Sequence, residues 1–298
     1  MERLAAGEAL SSVEIHELAT TPDILPLGML ADTVRRRRHG ARTTFLRVAV
    51  FPLDSQFTDP VPSRAQEIRL TGAPNSVADA VSAISRVRSA GDGRTVSALS
   101  WSDIERLASG SIERAGEVLK ALREAGLDSL AELPLDRVTD IDGATANLAA
   151  AGFTRLRLTI DKIAAADRTA LLIRAGELQK RHGCIQSINP LPMTLATFRP
   201  TTGYDDVKMV AIARLAAPEV PSIQVDWLRY GPKLAQVALT FGVDDIDGIS
   251  PSDEAPEGRR RAPLEEIRRN IRAAGQEPVE RNGRFEPMRR ATSDVSSQ

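Results

Sequence analysis

Three carboxylates within four residues, Asp244, Asp245 and Asp247, form the densest group of potential ligands in the chain. Magnesium or calcium takes oxygen ligands of this kind. Their spacing lacks the alternation of a calcium loop, so they read as part of a strand and its exit, and no metal is expected. The three histidines, His16, His39 and His182, are scattered over helix-type segments, and Cys184 is the single cysteine. No Ser/His/Asp or Cys/His arrangement follows from these spacings. A lone cysteine rules out an internal disulfide framework and fits a reducing compartment, so a cytoplasmic location is expected. Its expected role is that of a small buried residue. Asp205 and Asp206 after Gly203 suit a helix N-terminus, where carboxylates cap free N–H groups. The run Arg35 to Arg38 reads as a solvated last helical turn whose cations suit the macrodipole, with phosphate binding as the alternative. Arg259-Arg260-Arg261 reads as a solvated loop.

The elements that must carry these residues alternate. Candidate strands are Phe45–Phe51, Glu67–Leu70, Thr95–Leu99, Leu127–Leu130, Arg155–Ile160, Ile185–Ile188, Ile223–Leu228 and Asp245–Ile249. Helical patterns at about 77–90, 112–125, 168–182, 205–216, 232–241 and 264–274 separate most of them. Such alternation predicts a parallel sheet with helical crossovers, and eight strands make a (β/α)8 TIM-type barrel the leading α/β architecture. An open doubly wound sheet is the alternative. A capping box, Ser11 with Glu14, predicts a first helix, and the spacing of Leu27, Leu30 and Val34 predicts a second, ended by Gly40. Between Phe51 and Glu67 lie Pro52, Pro60 and Pro62 without helical periodicity. An irregular loop is expected there in place of the first barrel helix. The barrel would then be incomplete or distorted around its first β/α unit, with the N-terminal helices packed against it.

Bulk properties bound the function. Hydrophobic residues at 42% and charged residues at 27% suit a globular core. A net charge of −1 with 4% aromatics gives no field or stacking platform for nucleic acid. Charge in Met1-Glu2-Arg3-Leu4 argues against a signal peptide, and no apolar run approaches the roughly 20 residues of a membrane span.

A resemblance sharpens this. Thr202-Gly203-Tyr204-Asp205-Asp206, the helix-like run to Leu215, Ile223-Gln224-Val225-Asp226-Trp227, Gly231-Pro232-Lys233-Leu234-Ala235-Gln236 and Phe241 to Gly248 together resemble the C-terminal half of the aminofutalosine synthases. Leu27 to Asp32 with Arg35 to Gly40, Ala125 to Leu130 and Pro278 to Arg281 extend the likeness over most of the chain. These are radical S-adenosylmethionine (SAM) enzymes of the futalosine route to menaquinone, related to dehypoxanthine futalosine cyclases and deazaflavin cofactor synthases. The resemblance implies a barrel whose first loop carries three cysteines, spaced CxxxCxxC, holding a 4Fe-4S cluster that binds SAM. Thiolates suit that task. Here the corresponding loop, Pro52 to Ala65, contains no cysteine. The family's glycine-rich segment beside SAM is replaced by Ala131-Glu132-Leu133-Pro134-Leu135. Its Gly-Gly turn after the second strand has become Thr71-Gly72-Ala73-Pro74. No cofactor is therefore expected, neither cluster nor SAM.

The expected organisation is an N-terminal helical extension at 1–42, a degenerate radical-SAM-like barrel at 43–284 and a polar, disordered tail at 285–298. The C-terminal ends of the strands build the ligand site in this fold. In this register they are Gly72, Ser100, Trp101, Asp161, Asn189, Arg229 and Asp247. Arg229 could pair with a carboxylate or phosphate, and Trp101 could stack on a planar ring. Local structure is the competing role for each. The expected function is that of a non-catalytic subunit, scaffold or metabolite binder linked to menaquinone biosynthesis. The alternatives are an active synthase-type enzyme whose cluster comes from a partner, and a cluster-independent activity in the old pocket. A barrel lacking its first helix should also expose apolar strand surface, which favours a protein partner, either a cysteine-complete paralogue or a second copy.

Overall fold

A computed structural model describes residues 4, 6–56, 60–162, 168–194, 202–258 and 260–288. Helices α1 (Ser12–Thr20) and α2 (Ile24–His39) lead into β1 (Arg42–Pro52) and β2 (Glu67–Thr71). Then follow α3 (Val77–Ala90), β3 (Thr95–Ser100), α4 (Trp101–Leu107), α5 (Ile112–Glu124), β4 (Ser129–Pro134), α6 (Ile141–Ala150), β5 (Leu156–Ile160) and α7 (Arg168–His182). The chain continues with β6 (Ile185–Pro192), α8 (Gly203–Ala216), β7 (Ser222–Asp226), α9 (Trp227–Ala238), β8 (Asp245–Ile249), α10 (Pro263–Ala273) and β9 (Glu277–Glu280). Strands β1 to β8 are all parallel, and β1 pairs both β8 and β2, so the sheet closes. This is the (β/α)8 barrel that the alternation predicts.

Among the described residues no helix stands between β1 and β2, as the prolines predict, but the barrel is not open there. Five consecutive pairs, Val48 with Glu67 through Pro52 with Thr71, hold the seam in register. The N-terminal helices do not patch the gap either. They pack against α7 and α8, on the far wall of the barrel. Gly28 lets α2 approach closely: a Cβ there would stand 2.9 Å from the Phe241 ring. The strand surface expected to be bare is instead covered from within the chain. Outward-facing Phe45 and Ala49 are buried, and Leu53, Val61 and Ala65 of the irregular loop pack onto the core. Arg94 pins that loop, donating through Nε to the Ala65 carbonyl at 2.8 Å and through Nη2 to the Ser63 carbonyl at 3.2 Å. The exposed patch that favoured a partner is therefore absent among the described residues.

The arginine run of α2 is not simply solvated. Arg35 is fully buried, with Nε donating to Asp32 at 2.8 Å, and Arg38 donates to the Pro218 and Val220 carbonyls. Arg36 and Arg37 are exposed. Ser11 with Glu14, and Thr202 with Asp205, form capping boxes for α1 and α8. Arg259 lies outside the described residues.

The floor of the barrel is closed by the chain beyond β9. Strand β9 adds to the lower half of β1, where β2 does not reach. Residues 281–288 then turn back on themselves, the Met288 N–H donating to the Glu280 carbonyl at 2.8 Å. Residues 285–288, assigned to the tail from sequence, belong to this plug; 289–298 lie outside the described residues. Arg281 is fully buried and stands 3.7 Å from the centroid of the Phe285 ring.

Candidate functional site

Successive residues of a strand face opposite sides, so each strand sends alternate residues into the lumen. Apolar branched side chains fill most such barrels. Here, apart from Val48 and Val50 on β1, many inward positions are polar: Glu67 and Arg69 on β2, Ser97 on β3, Arg157 and Thr159 on β5, Ser187 and Asn189 on β6, Gln224 on β7, Asp245 and Asp247 on β8. All are buried except Arg69, which is partly exposed.

Two ion clusters organise them. In the lower one, the Arg281 guanidinium donates to both oxygens of Asp245, at 2.6 and 2.7 Å, and Gln224 Nε2 adds a third bond at 2.6 Å. Burial alone would raise the Asp245 pKa, but Arg281 and these bonds hold it below the usual carboxylate value. In the upper one, Glu67 accepts from Arg157 on both oxygens, from Arg69 Nη2 at 2.7 Å and from Ser97 Oγ at 2.7 Å. Against the opposing effect of burial, these two arginines hold its carboxyl far below the ordinary range. Arg69 Nη2 also reaches Asp247 Oδ2 at 2.9 Å, tying the cluster to the barrel mouth.

The aspartate triplet thus binds three different arginines. Asp244, below the barrel, takes Arg214 and the Ile223 N–H; Asp245 takes Arg281; Asp247 takes Arg69. Among the described residues no group of three or more His, Cys, Asp or Glu could hold a metal ion.

At the mouth, Asp226 and Asp247 are direct neighbours across β7 and β8. Burial, and then the Asp247 charge, push the Asp226 carboxyl up. Asp226 also caps α9 by accepting the Arg229 N–H at 3.0 Å, and Gly248 is required beside it: φ is +74°, and a Cβ would stand 2.8 Å from Asp226 Oδ1. Glu132, on β4, lies in the fields of Arg229, Asp161, Arg69 and Asp103, and burial raises its pKa. Val50, inward on β1 at the mouth, is 46% exposed and supplies an apolar wall.

The residues expected at the site divide. Asp247 faces the lumen and is bonded as above. Asn189 is buried in the lumen wall, its Oδ1 accepting the Leu191 N–H at 3.1 Å. Asp161 lies at the rim, accepting from Arg137 Nε at 2.6 Å and Thr194 Oγ1 at 2.6 Å, contacts that depress its pKa against burial. Arg229 is not on a strand: β7 ends at Asp226, and Arg229 sits in the first turn of α9 with its guanidinium bonded to the Met193 carbonyl. Ser100 caps α4 in a capping box with Asp103, and Trp101, the first residue of α4, is buried in the core. The stacking role for Trp101 therefore gives way to packing. Gly72 stands apart, on an outer groove beside Leu53 and Pro74, with φ at +104°. Sequence reasoning missed Arg69, Glu132 and Asp226. The first and last alternate with apolar residues in β2 and β7, which marks them as inward-facing.

A thiolate-bound cluster does not fit these residues. The loop from 53 to 66 has no cysteine in sequence, and it lies inside the chain. Cys184 precedes β6 at the opposite end of the barrel from the mouth, buried, with burial raising its thiol pKa.

Known proteins place this geometry. Residues 192–294 match the family described as the CofH/MqnC C-terminal region. Aminodeoxyfutalosine synthase of Thermus thermophilus is 31% identical over 208 residues, covering 58% of this chain and 55% of that protein. The 5-amino-6-(D-ribitylamino)uracil–L-tyrosine 4-hydroxyphenyl transferase of Archaeoglobus fulgidus is 38% identical over 125 residues, 38% of this chain and 36% of that one. The chain thus spans about half, or less, of the length of these relatives. The crystal structure of methylornithine synthase (PylB) superposes over 93% of this chain and 96% of its own, with a TM-score of 0.65 at 16% identity, a likeness of fold. No helix among the described residues is long and apolar enough to cross a membrane.

Proposed function

We propose that this chain, an aminofutalosine synthase-like member of the radical SAM superfamily, does not cleave SAM and serves as a metabolite-binding, non-catalytic subunit in menaquinone biosynthesis. One observation carries the reading. The loop that leaves β1 offers no thiol, and the single thiol lies buried at the other end of the barrel. Soft sulfur ligands are what hold an iron–sulfur cluster, and carboxylates and amides do not replace three of them.

The mouth keeps the means to bind a polar metabolite. Arg69 is held in place by Glu67 and Asp247, and Arg229 by the Met193 carbonyl, so both guanidiniums are fixed before a ligand arrives. Val50 gives the ligand an apolar surface to cover. A second reading rests on Glu132. Its raised pKa and half-buried position at the mouth suit a general acid or base, so a cluster-independent reaction is the alternative.

Anaerobic reconstitution with iron and sulfide, followed by absorption spectroscopy and iron analysis, tests the main reading. The expected result is a colourless protein without stoichiometric iron. A stoichiometric cluster with its visible band would sink it. Co-purification with a cysteine-complete paralogue tests the subunit role, and a monomer that binds no paralogue counts against it.

A further inference from the structure

A second cavity, of about 660 Å³, lies outside the barrel on the outer face of β1. It is bounded by α10, by β9 and by the residues entering β2. Its charged lining is uneven, with Arg47, Arg64, Arg268 and Arg272 against Glu277 and Glu280. Arg47 forms the floor and is 5% exposed. Its Nε donates to Glu280 at 2.7 Å, while Nη1 is buried, has no hydrogen-bond acceptor and stands 3.6 Å from Asp253. Arg268 reaches the other Glu280 oxygen only at 4.0 Å. Arg272, one helical turn further along the same face of α10, is exposed and has no ion-pair partner among the described residues. Asp253 takes Arg64 at 3.2 Å. Three guanidiniums then share two carboxylates.

The neighbouring sheet edge offers few free groups to a docking strand. The N–H groups of Glu277 and Arg281 point to β1, which leaves the alternate residues facing outward. Of these, Pro278 has no N–H, and the Glu280 carbonyl already accepts from Met288. The space itself is in the range of small-molecule sites, roughly 300–1,000 Å³.

We propose that this cavity binds a phosphate-bearing small molecule. Guanidiniums from β1 and from two turns of α10 converge with more N–H donors than Glu280 and Asp253 accept, and a phosphate offers the extra oxygens. The cavity is larger than an ion, so the organic body lies over Pro278, Val279 and Met288. Arg268 and Arg272 grip the phosphate, and the Arg47 charge at the floor adds to the attraction.

Isothermal titration of the full chain at low salt tests this, with pyrophosphate as probe and citrate as the carboxylate comparison. Saturable pyrophosphate binding is expected, weakened roughly tenfold in Arg272→Ala and in Arg268→Ala, the loss of one charge-assisted contact. Arg114→Ala, an exposed arginine on α5, should leave it unchanged, and thermal melts should show all three variants folded. The proposal is overturned by absence of saturable binding, by equal weakening in Arg114→Ala, or by preference for citrate.

Discussion

Replacing Arg157 by methionine tests whether the charged lumen is a structural core. The substitution keeps most of the side-chain volume but leaves Glu67 fully buried with only Arg69 and Ser97. Removing one partner of a buried ion pair costs about 3–5 kcal/mol, because the other charge stays desolvated. Two surviving partners place this site near the lower end, about 3 kcal/mol. For 298 residues, an unfolding entropy of about 2.1 cal/mol/K per residue gives about 0.6 kcal/mol per degree, hence a Tm lower by about 5 °C at pH 7. Glu67→Gln combined with Arg157→Met removes the stranded charge and should recover at least half of the loss. The acid limb gives an independent check. The folded Glu67 carboxyl lies far below its unfolded value, so its contribution is present above about pH 4.3 and lost as pH falls below it. Thermal melts of Glu67→Gln across this range should therefore fall less steeply with acid than those of the native chain. An Arg157→Met melt within about 1 °C of native, or an unchanged acid slope in Glu67→Gln, refutes the reasoning.

Two further outcomes follow from the mouth and the floor. Asp226→Asn keeps an N-cap acceptor and removes repulsion with Asp247, so Tm at pH 7 should rise by about 1–2 °C. Because the folded pKa of Asp226 is raised, its charge costs stability above that pKa, and the gain should shrink as pH falls through it; a lower Tm at pH 7 contradicts this. Gly283→Ala would put a Cβ 1.8 Å from Thr95 Oγ1 and 2.8 Å from Glu67 Oε2. Overpacking of this kind costs about 1–3 kcal/mol, so the melt should drop by a few degrees, and an unchanged melt would show that the plug is not seated in the floor.

The strands and long helices were legible because burial imposes a period. Glu67–Leu70, Thr95–Leu99 and Asp245–Ile249 were placed within a residue of β2, β3 and β8. Short elements escaped. Trp101–Leu107 has too few turns to show periodicity, and its signal was the Ser100 and Asp103 capping pair. Ile141–Ala150 is rich in alanine, which blurs its apolar face. The end of β7 was misplaced because Trp227 and Leu228 continue an apolar run, whereas Asp226 caps a helix there and moves Arg229 off the strand.

Sequence by itself determined the order of the strands and long helices, the lack of helical periodicity after β1 and the absence of thiols from the first loop. Each depends on residue identity along the chain, where local pattern and composition suffice. Only the tertiary structure decided which charges meet. Glu67 finds Arg157 ninety residues away, Asp245 finds Arg281, and Leu53, Val61 and Ala65 pack onto the core beside β1. Barrel closure brings together side chains from opposite walls, and no spacing in the sequence records a distance across a lumen. Burial then makes those meetings obligatory, because an isolated charge in the lumen would cost more than the fold could bear.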